Sequence, residues 1–145
     1  MNKYLLLFIF CLAGFQLYAQ QWLTSFQEAK ELSAAQEKTI LLVFQGSDWC
    51  APCIKLNRDI FETAHFLTYA KDHFIMLQAD FPRRKKNALS PELQAHNNAL
   101  AEQYNKGGVF PFVVVLDNYG TVLGQTSYSK KTPQEYIVEL EGYIK

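Results

Sequence analysis

The chain alternates between two hydrophobic periods, and the changes of period divide it into elements. Ser25-x-x-Glu28 reads as a capping box, in which a Ser oxygen and a Glu carboxylate satisfy free N–H groups at a helix start. The helix it opens carries Phe26, Ala29 and Leu32 on one side and ends near Lys38. Thr39 to Gln45 is then a continuous β-rich apolar run, the pattern of a strand covered on both faces and hence the expected central strand. Gly46-Ser47-Asp48 breaks that run. From Cys50 a helical pattern passes through Ile54, Leu56 and Phe61, is interrupted around Glu62-Thr63, and resumes through Phe66, Leu67 and Ala70.

The second half continues the alternation. Phe74 to Asp80 reads as a second strand, followed by a basic loop from Pro82 to Lys86. Ser90-Pro91 opens a further helix, with Ser as N-cap and Pro at the first helical position, and Gly107-Gly108 stops it. Phe112 to Asp117 and Thr121 to Gln125, joined by Asn118-Tyr119-Gly120, read as an antiparallel hairpin. Thr132-Pro133-Gln134-Glu135 combines a capping box with Pro at the first position and launches a last helix whose Tyr136, Leu140 and Tyr143 share a face. The order helix, strand, helix, strand, helix, hairpin, helix contains no repeat and no break in composition, and reads as one α/β domain.

The first residues do not share this pattern. Lys3, the almost wholly apolar stretch Tyr4 to Leu17, and Leu17-Tyr18-Ala19 ahead of Gln20 follow the order of a secretory signal peptide. The stretch falls short of the roughly 20 apolar residues that cross a bilayer, and nothing later in the chain could span one. Residues 1–19 are therefore read as a cleaved leader and residues 20–145 as the domain, in a periplasmic or secreted setting.

Composition narrows the partners. With 49% hydrophobic residues and only 7 Gly and 5 Pro, the chain can bury a core and is not a disordered segment. Its 14 Lys+Arg balance 14 Asp+Glu, so no broad basic field is available for nucleic acid.

Of three cysteines, Cys11 leaves with the leader, so Cys50 and Cys53 remain in a single C-x-x-C. A disulfide stabilises a fold more the longer the loop it closes, so a pair this close points to chemistry rather than stapling. At a helix start the first sulfur lies beside free N–H groups and the positive end of the macrodipole, which can lower a thiol pKa from about 8.5 to roughly 7 or below. Cys50 is the expected nucleophile. Cys53, one turn on, is the expected resolving thiol, and Pro52 fits a first helical turn without losing a needed N–H.

Trp49-Cys50-Ala51-Pro52-Cys53, after a buried strand and before a helix, resembles the active site of thioredoxin-like disulfide oxidoreductases, whose usual pattern is Trp-Cys-Gly-Pro-Cys. Val109-Phe110-Pro111 ahead of the hairpin stands where relatives carry a cis-proline facing the disulfide. The resemblance covers roughly Phe26 to the C-terminus, and the segments around Cys50 and at Asp80-Phe81-Pro82-Arg83 look more like exported bacterial members than cytosolic thioredoxin. It implies a thioredoxin-like fold, a central mixed sheet flanked by helices. It also implies substrate contacts from Trp49, Ala51, Pro52, Phe110 and Pro111, with the Phe110 backbone exposed to an extended substrate strand. The implied partners are proteins with cysteines or disulfides and a membrane or soluble electron donor; no bound cofactor is implied. Pro52 and the near-family dipeptide lean towards a reducing potential, whereas an exported setting pushes an unassisted dithiol towards oxidation.

One departure stands out. Most thioredoxins keep a buried Asp six residues before the first cysteine, and here that position is Phe44, leaving a water, Asp48 or another acid to substitute. Losing a carboxylate would make Cys50 more acidic than in cytosolic relatives. The segment from Pro82 to Gly107 exceeds the family minimum and adds either a substrate-facing loop or a longer helix.

Two other classes compete with an oxidoreductase: a non-catalytic thioredoxin-fold binding module and a copper or zinc delivery protein. A closed zinc site needs two ligands beyond the cysteines, and His65, His73 and His96 lack the required spacing, so no metal site is expected. Arg83-Arg84-Lys85-Lys86 reads as a solvated loop rather than a docking patch. Trp22, Tyr128, Phe66, Phe74 and Phe112 read as packing, and Asp59 and Glu62 carry no paired-carboxylate signal.

Overall fold

Capping side chains decide where the helices begin. A computed structural model describes residues 21–145, so the leader read at residues 1–19 and Cys11 lie outside the described residues. Helix α1 (Phe26–Gln36) starts on Ser25, strand β1 (Thr39–Gln45) follows, and α2 (Ala51–Leu56) starts on Cys50. A π-helical turn, Asn57–Phe61, leads towards α3 (Ala64–His73), which starts on Thr63 and feeds β2 (Phe74–Asp80). A 3-10 turn at Lys85–Asn87 precedes α4 (Pro91–Tyr104), capped by Ser90. Strands β3 (Phe112–Leu116) and β4 (Val122–Thr126) form the hairpin, and α5 (Pro133–Ile144) starts on Thr132.

The two capping boxes differ. At α5 both halves form, the Glu135 N–H donating to Thr132 Oγ1 at 3.2 Å and the Thr132 N–H to Glu135 Oε2 at 2.8 Å. At α1 only the Ser25 half forms, accepting from the Glu28 N–H at 3.3 Å. The helix interruption at Glu62-Thr63 is present, but a wider π turn precedes it, and its Ile60 and Phe61 are both buried.

The sheet order is β2-β1-β3-β4, with β1 parallel to β2 and antiparallel to β3, and β4 antiparallel to β3. It is a mixed sheet with helices on both faces, as expected. Because successive side chains of a strand point to opposite faces, β1 supplies two cores. Leu41 and Val43 pack with Leu56, Phe66 and Leu140 from α2, α3 and α5. Ile40, Leu42 and Phe44 pack with Ala29 and Leu100 from α1 and α4.

β4 lies one residue further along than the sequence reading because the turn consumes Thr121. The Asp117 N–H donates to the Thr121 carbonyl at 3.0 Å, and Asp117 Oδ1 accepts from the N–H groups of Tyr119 and Thr121 at 2.8 Å each. At the other edge, Leu23 pairs in parallel with Leu77 through bonds to Met76 and Gln78, covering part of an otherwise open strand. No helix among the described residues is long and apolar enough to cross a membrane.

Candidate active site

The site is built where β1 runs out. The carbonyl of Gly46 accepts from the N–H groups of Trp49 at 3.2 Å and Cys50 at 2.9 Å, folding the chain back from strand into helix. A Cβ on residue 46 would stand 2.3 Å from the Trp49 ring, so glycine is needed here for space. That turn sets Cys50 as the N-cap of α2, where its Sγ accepts from the Cys53 N–H at 3.3 Å. Cys50 and Cys53 are joined in a disulfide with their Cα atoms 5.3 Å apart. Both half-cystines are nearly covered, at 3% and 2% exposure, whereas Ala51 and Pro52 between them are exposed. Pro52 sits in the first turn, where its missing N–H would have had no helical partner.

Aromatic rings close one side. The Trp49 indole N–H donates to the Phe81 carbonyl at 2.8 Å, and the Phe110 ring meets Trp49 edge-on at 5.6 Å and Phe81 at 5.5 Å between centroids. The Phe110-Pro111 bond is cis, as the resemblance implied. Asn105, nearly fully buried, holds Val109 by both its N–H and its carbonyl, and Ser127 Oγ donates to the Pro111 carbonyl at 2.6 Å. Between these fixed neighbours the Phe110 N–H and carbonyl have no partner among the described residues. Ile54 and Val109 add exposed apolar surface at 49% and 47%. The structure thus sets the Phe110 ring against Trp49, the residue before Cys50, leaves Ala51 and Pro52 exposed between the two sulfurs, and buries Pro111 behind Phe110.

Phe44 is fully buried and packs against Phe112 at 6.4 Å, so apolar packing replaces the usual carboxylate. Asp48 does not substitute for it, because its carboxylate is committed elsewhere. It accepts from the N–H groups of Arg83 at 2.9 Å and Arg84 at 3.0 Å and from the Asn87 amide at 2.8 Å. The Arg83 N–H first, then the Asn87 amide, hold the Asp48 carboxyl below the ordinary range.

Several residues at this end escaped the sequence reading. Asp80 takes the Ser47 N–H and hydroxyl at 2.9 and 2.6 Å, tying the ends of β1 and β2 together. Gln45, buried at 6% exposure, donates to Gln78 at 3.0 Å and accepts from Asn57 at 3.4 Å, linking both strands to the π turn. A polar side chain ending an apolar run was the available signal for Gln45. Arg83, Arg84, Lys85 and Lys86 are all exposed, as a solvated loop requires, and the structure adds one contact, the guanidinium carbon of Arg83 lying 3.6 Å from the centroid of the Trp49 ring. The long Pro82 to Gly107 segment supplies both this loop and a 14-residue helix.

The histidines lie apart in local contacts. His65 shares a hydrogen bond with Gln134 at 2.6 Å, His73 with the Tyr69 carbonyl at 2.8 Å, and His96 Nε2 accepts from the Phe26 N–H at 3.2 Å. Among the described residues no group of three or more His, Cys, Asp or Glu side chains is placed to hold a metal ion. Trp22 packs edge-on against Phe61, Phe66 and Phe74 are buried, and Phe112 is half-buried. Tyr128 donates to Asp59 at 3.2 Å, and Asp59 is paired with Arg58 at 2.7 Å.

A disulfide lodged in the first turn of a helix can open and close without moving the sheet behind it, and an exchange partner needs only an approach to the sulfurs. That combination defines the class of thiol–disulfide oxidoreductases. Residues 21–118 match the family described as Thioredoxin-like. The chain is 34% identical over 125 residues to Disulfide bond reductase DsbH of Chlamydia pneumoniae, covering 86% of this chain and 73% of that protein. A solved structure described as DsbH Oxidoreductase superposes with a TM-score of 0.79 at 30% identity, over 94% of this chain and 97% of the other. A thioredoxin from Thermus thermophilus shares the fold, with a TM-score of 0.60 at 18% identity over 86% of each chain. This chain belongs to the thioredoxin-like family.

Proposed function

We propose that the protein is an exported reductase of protein disulfides, with Cys50 as attacking thiolate and Cys53 as resolving thiol. The observation that carries this reading is the Cys50 sulfur standing as N-cap of α2 and bonded to Cys53, with the preceding Trp49 against the ring of Phe110. In the reduced protein the Cys50 thiolate attacks one sulfur of a substrate disulfide and the other leaves as a thiolate, protonated from water. Cys53 then loses its proton to water and attacks Cys50 Sγ, closing the Cys50–Cys53 disulfide and releasing the second substrate thiol. Two electrons pass to the substrate, and a dithiol donor, membrane-bound or soluble, returns them.

Trp49, Ala51, Pro52 and Phe110 form the contact surface, backed by the buried Pro111, with an extended substrate segment pairing with the free N–H and carbonyl of Phe110. The reducing direction is supported by Pro52 and by similarity to a relative named as a disulfide bond reductase. The leader at residues 1–19 supports export to the periplasm or beyond, a compartment where a reducing dithiol depends on a dedicated donor.

Insulin reduction tests the chemistry. With dithiothreitol as donor, the protein is expected to accelerate precipitation of insulin chains, and a Cys50→Ser/Cys53→Ser variant is not; equal rates would discard the proposal. Equilibration with glutathione tests direction, since a potential near −270 mV fits a reductase and one near −120 mV an oxidase.

A further inference from the structure

We propose that the loop Arg83 to Lys86 selects among substrates, favouring disulfides flanked by acidic residues; this rests on the reductase reading above. Four consecutive cations on a free loop would make a diffuse, shifting field. Here the loop is fastened to the residues just ahead of the nucleophile. Asp48 holds the N–H groups of Arg83 and Arg84 and the Asn87 amide, the Phe81 carbonyl holds the Trp49 indole, and the Arg83 guanidinium stacks on that indole at 3.6 Å. Asp48 and Trp49 are the two residues preceding Cys50. The Arg83 cation is therefore held on the wall that Trp49 forms next to Cys50, and the three exposed cations after it extend from the same pinned turn.

Their charge is offset only in part. Asp48, on which Arg84 acts through space, and Asp80 are two carboxylates against four cations, and both accept from backbone and side-chain N–H or hydroxyl donors rather than from the cationic heads. Among the described residues none of Arg83, Arg84, Lys85 or Lys86 forms a salt bridge; the two ion pairs, Arg58–Asp59 and Lys131–Glu139, lie elsewhere. The side chains of Trp49, Ile54, Val109 and Phe110 are apolar, and beyond the loop the exposed Lys55 of α2 adds a cation of the same sign. A substrate segment lying along Phe110 crosses Trp49, so residues flanking its cysteine meet the loop. Asp or Glu there is attracted, and Lys or Arg is repelled.

The test compares three disulfides with dithiothreitol as donor: neutral hydroxyethyl disulfide, and two otherwise identical peptides whose disulfide is flanked by Asp or by Lys. In each, the enzyme dithiol becomes the Cys50–Cys53 disulfide as the probe gains two electrons and two protons, and dithiothreitol restores the dithiol. At low ionic strength kcat/KM is expected to be about tenfold higher for the Asp-flanked peptide than for the Lys-flanked one. Added salt should collapse that ratio towards unity, because these charges are exposed. An Arg84→Gln/Lys85→Gln/Lys86→Gln variant, shown to be folded by its unfolding midpoint, should show the collapsed ratio without salt.

Turnover of all three probes at the same salt-independent rate would overturn the selectivity and leave the reductase reading standing. A preference that survives in the triple variant would assign selection to another surface and overturn the role of the loop. No turnover even of hydroxyethyl disulfide would remove the reductase reading and this inference with it.

Discussion

The start of α2 and the start of α5 are alike up to the chemistry of one atom. At α5, Thr132 Oγ1 accepts from the N–H three residues on at 3.2 Å, and Glu135 at that third position returns a bond to the Thr132 N–H. At α2, Cys50 Sγ accepts from the N–H three residues on at 3.3 Å, and Cys53 at that third position returns a covalent bond to the same sulfur. Ser25, Thr63 and Ser90 repeat the oxygen version at α1, α3 and α4. An alcohol oxygen at this place only satisfies an orphan N–H and does not ionise near neutrality. A thiol does ionise, so on the proposed function the position that stabilises a helix at α5 is the one that stabilises a reactive anion at α2 once the disulfide is reduced. The comparison makes the redox site a helix cap whose acceptor is sulfur.

Three measurements would break or sharpen that comparison. The largest effect belongs to Cys50→Ser, which turns the α2 cap into the kind used elsewhere. Insulin reduction should vanish while the unfolding midpoint stays close to that of the reduced wild type. Titration of the wild-type thiolate should give a Cys50 pKa clearly below about 8.5, a signal missing in the variant. An ordinary thiol pKa would break the analogy at its centre.

Next come the oxygen caps. Thr132→Ala removes a complete box and should cost about 1–2 kcal/mol, whereas Ser25→Ala removes half a box and should cost about 0.5–1 kcal/mol. Denaturant midpoints check the order, and insulin reduction should be unaffected by either change. A larger loss from Ser25→Ala would mean that the reciprocal Glu135 bond contributes nothing.

The smallest effect concerns Asp48, which anchors the loop next to the cysteine cap. Its carboxyl is depressed by the Arg83 N–H and the Asn87 amide, so it binds its proton less readily folded than unfolded. Its contribution is therefore present above the ordinary carboxyl pKa of about 3.9 and is lost as pH falls through the lower, folded value. In a Trp22→Phe background, Trp49 fluorescence should change over that acid range, and Asp48→Asn should abolish the transition. A transition that persists in Asp48→Asn would assign it to another group.

Local signals were legible in the sequence and contacts between distant segments were not. The caps Ser25, Ser90 and Thr132, the two inner strands and the cysteine pair are written in neighbouring residues, because a cap or a period is satisfied within one turn or one strand, whereas Thr63 reads only as part of an interruption and proves to cap α3. Pro111 was readable through resemblance, and its role still rests on the proposed exchange. The Arg83 stack on Trp49 joins residues far apart in sequence, and nothing around Pro82 to Lys86 distinguishes a pinned loop from a free one. The missing half of the Ser25 box shows the reverse limit, since the motif is present and the Glu28 carboxylate does not close it. The π turn at Asn57–Phe61 left no mark beyond the break that follows it.

The indole of Trp49 occupies the volume that any side chain on residue 46 would need, at 2.3 Å from where a first carbon would stand. A single methyl group there would evict the ring, and with it the perch of Arg83 and the edge that Phe110 leans on. The whole apron around the sulfurs thus hangs on one hydrogen atom at the end of a strand.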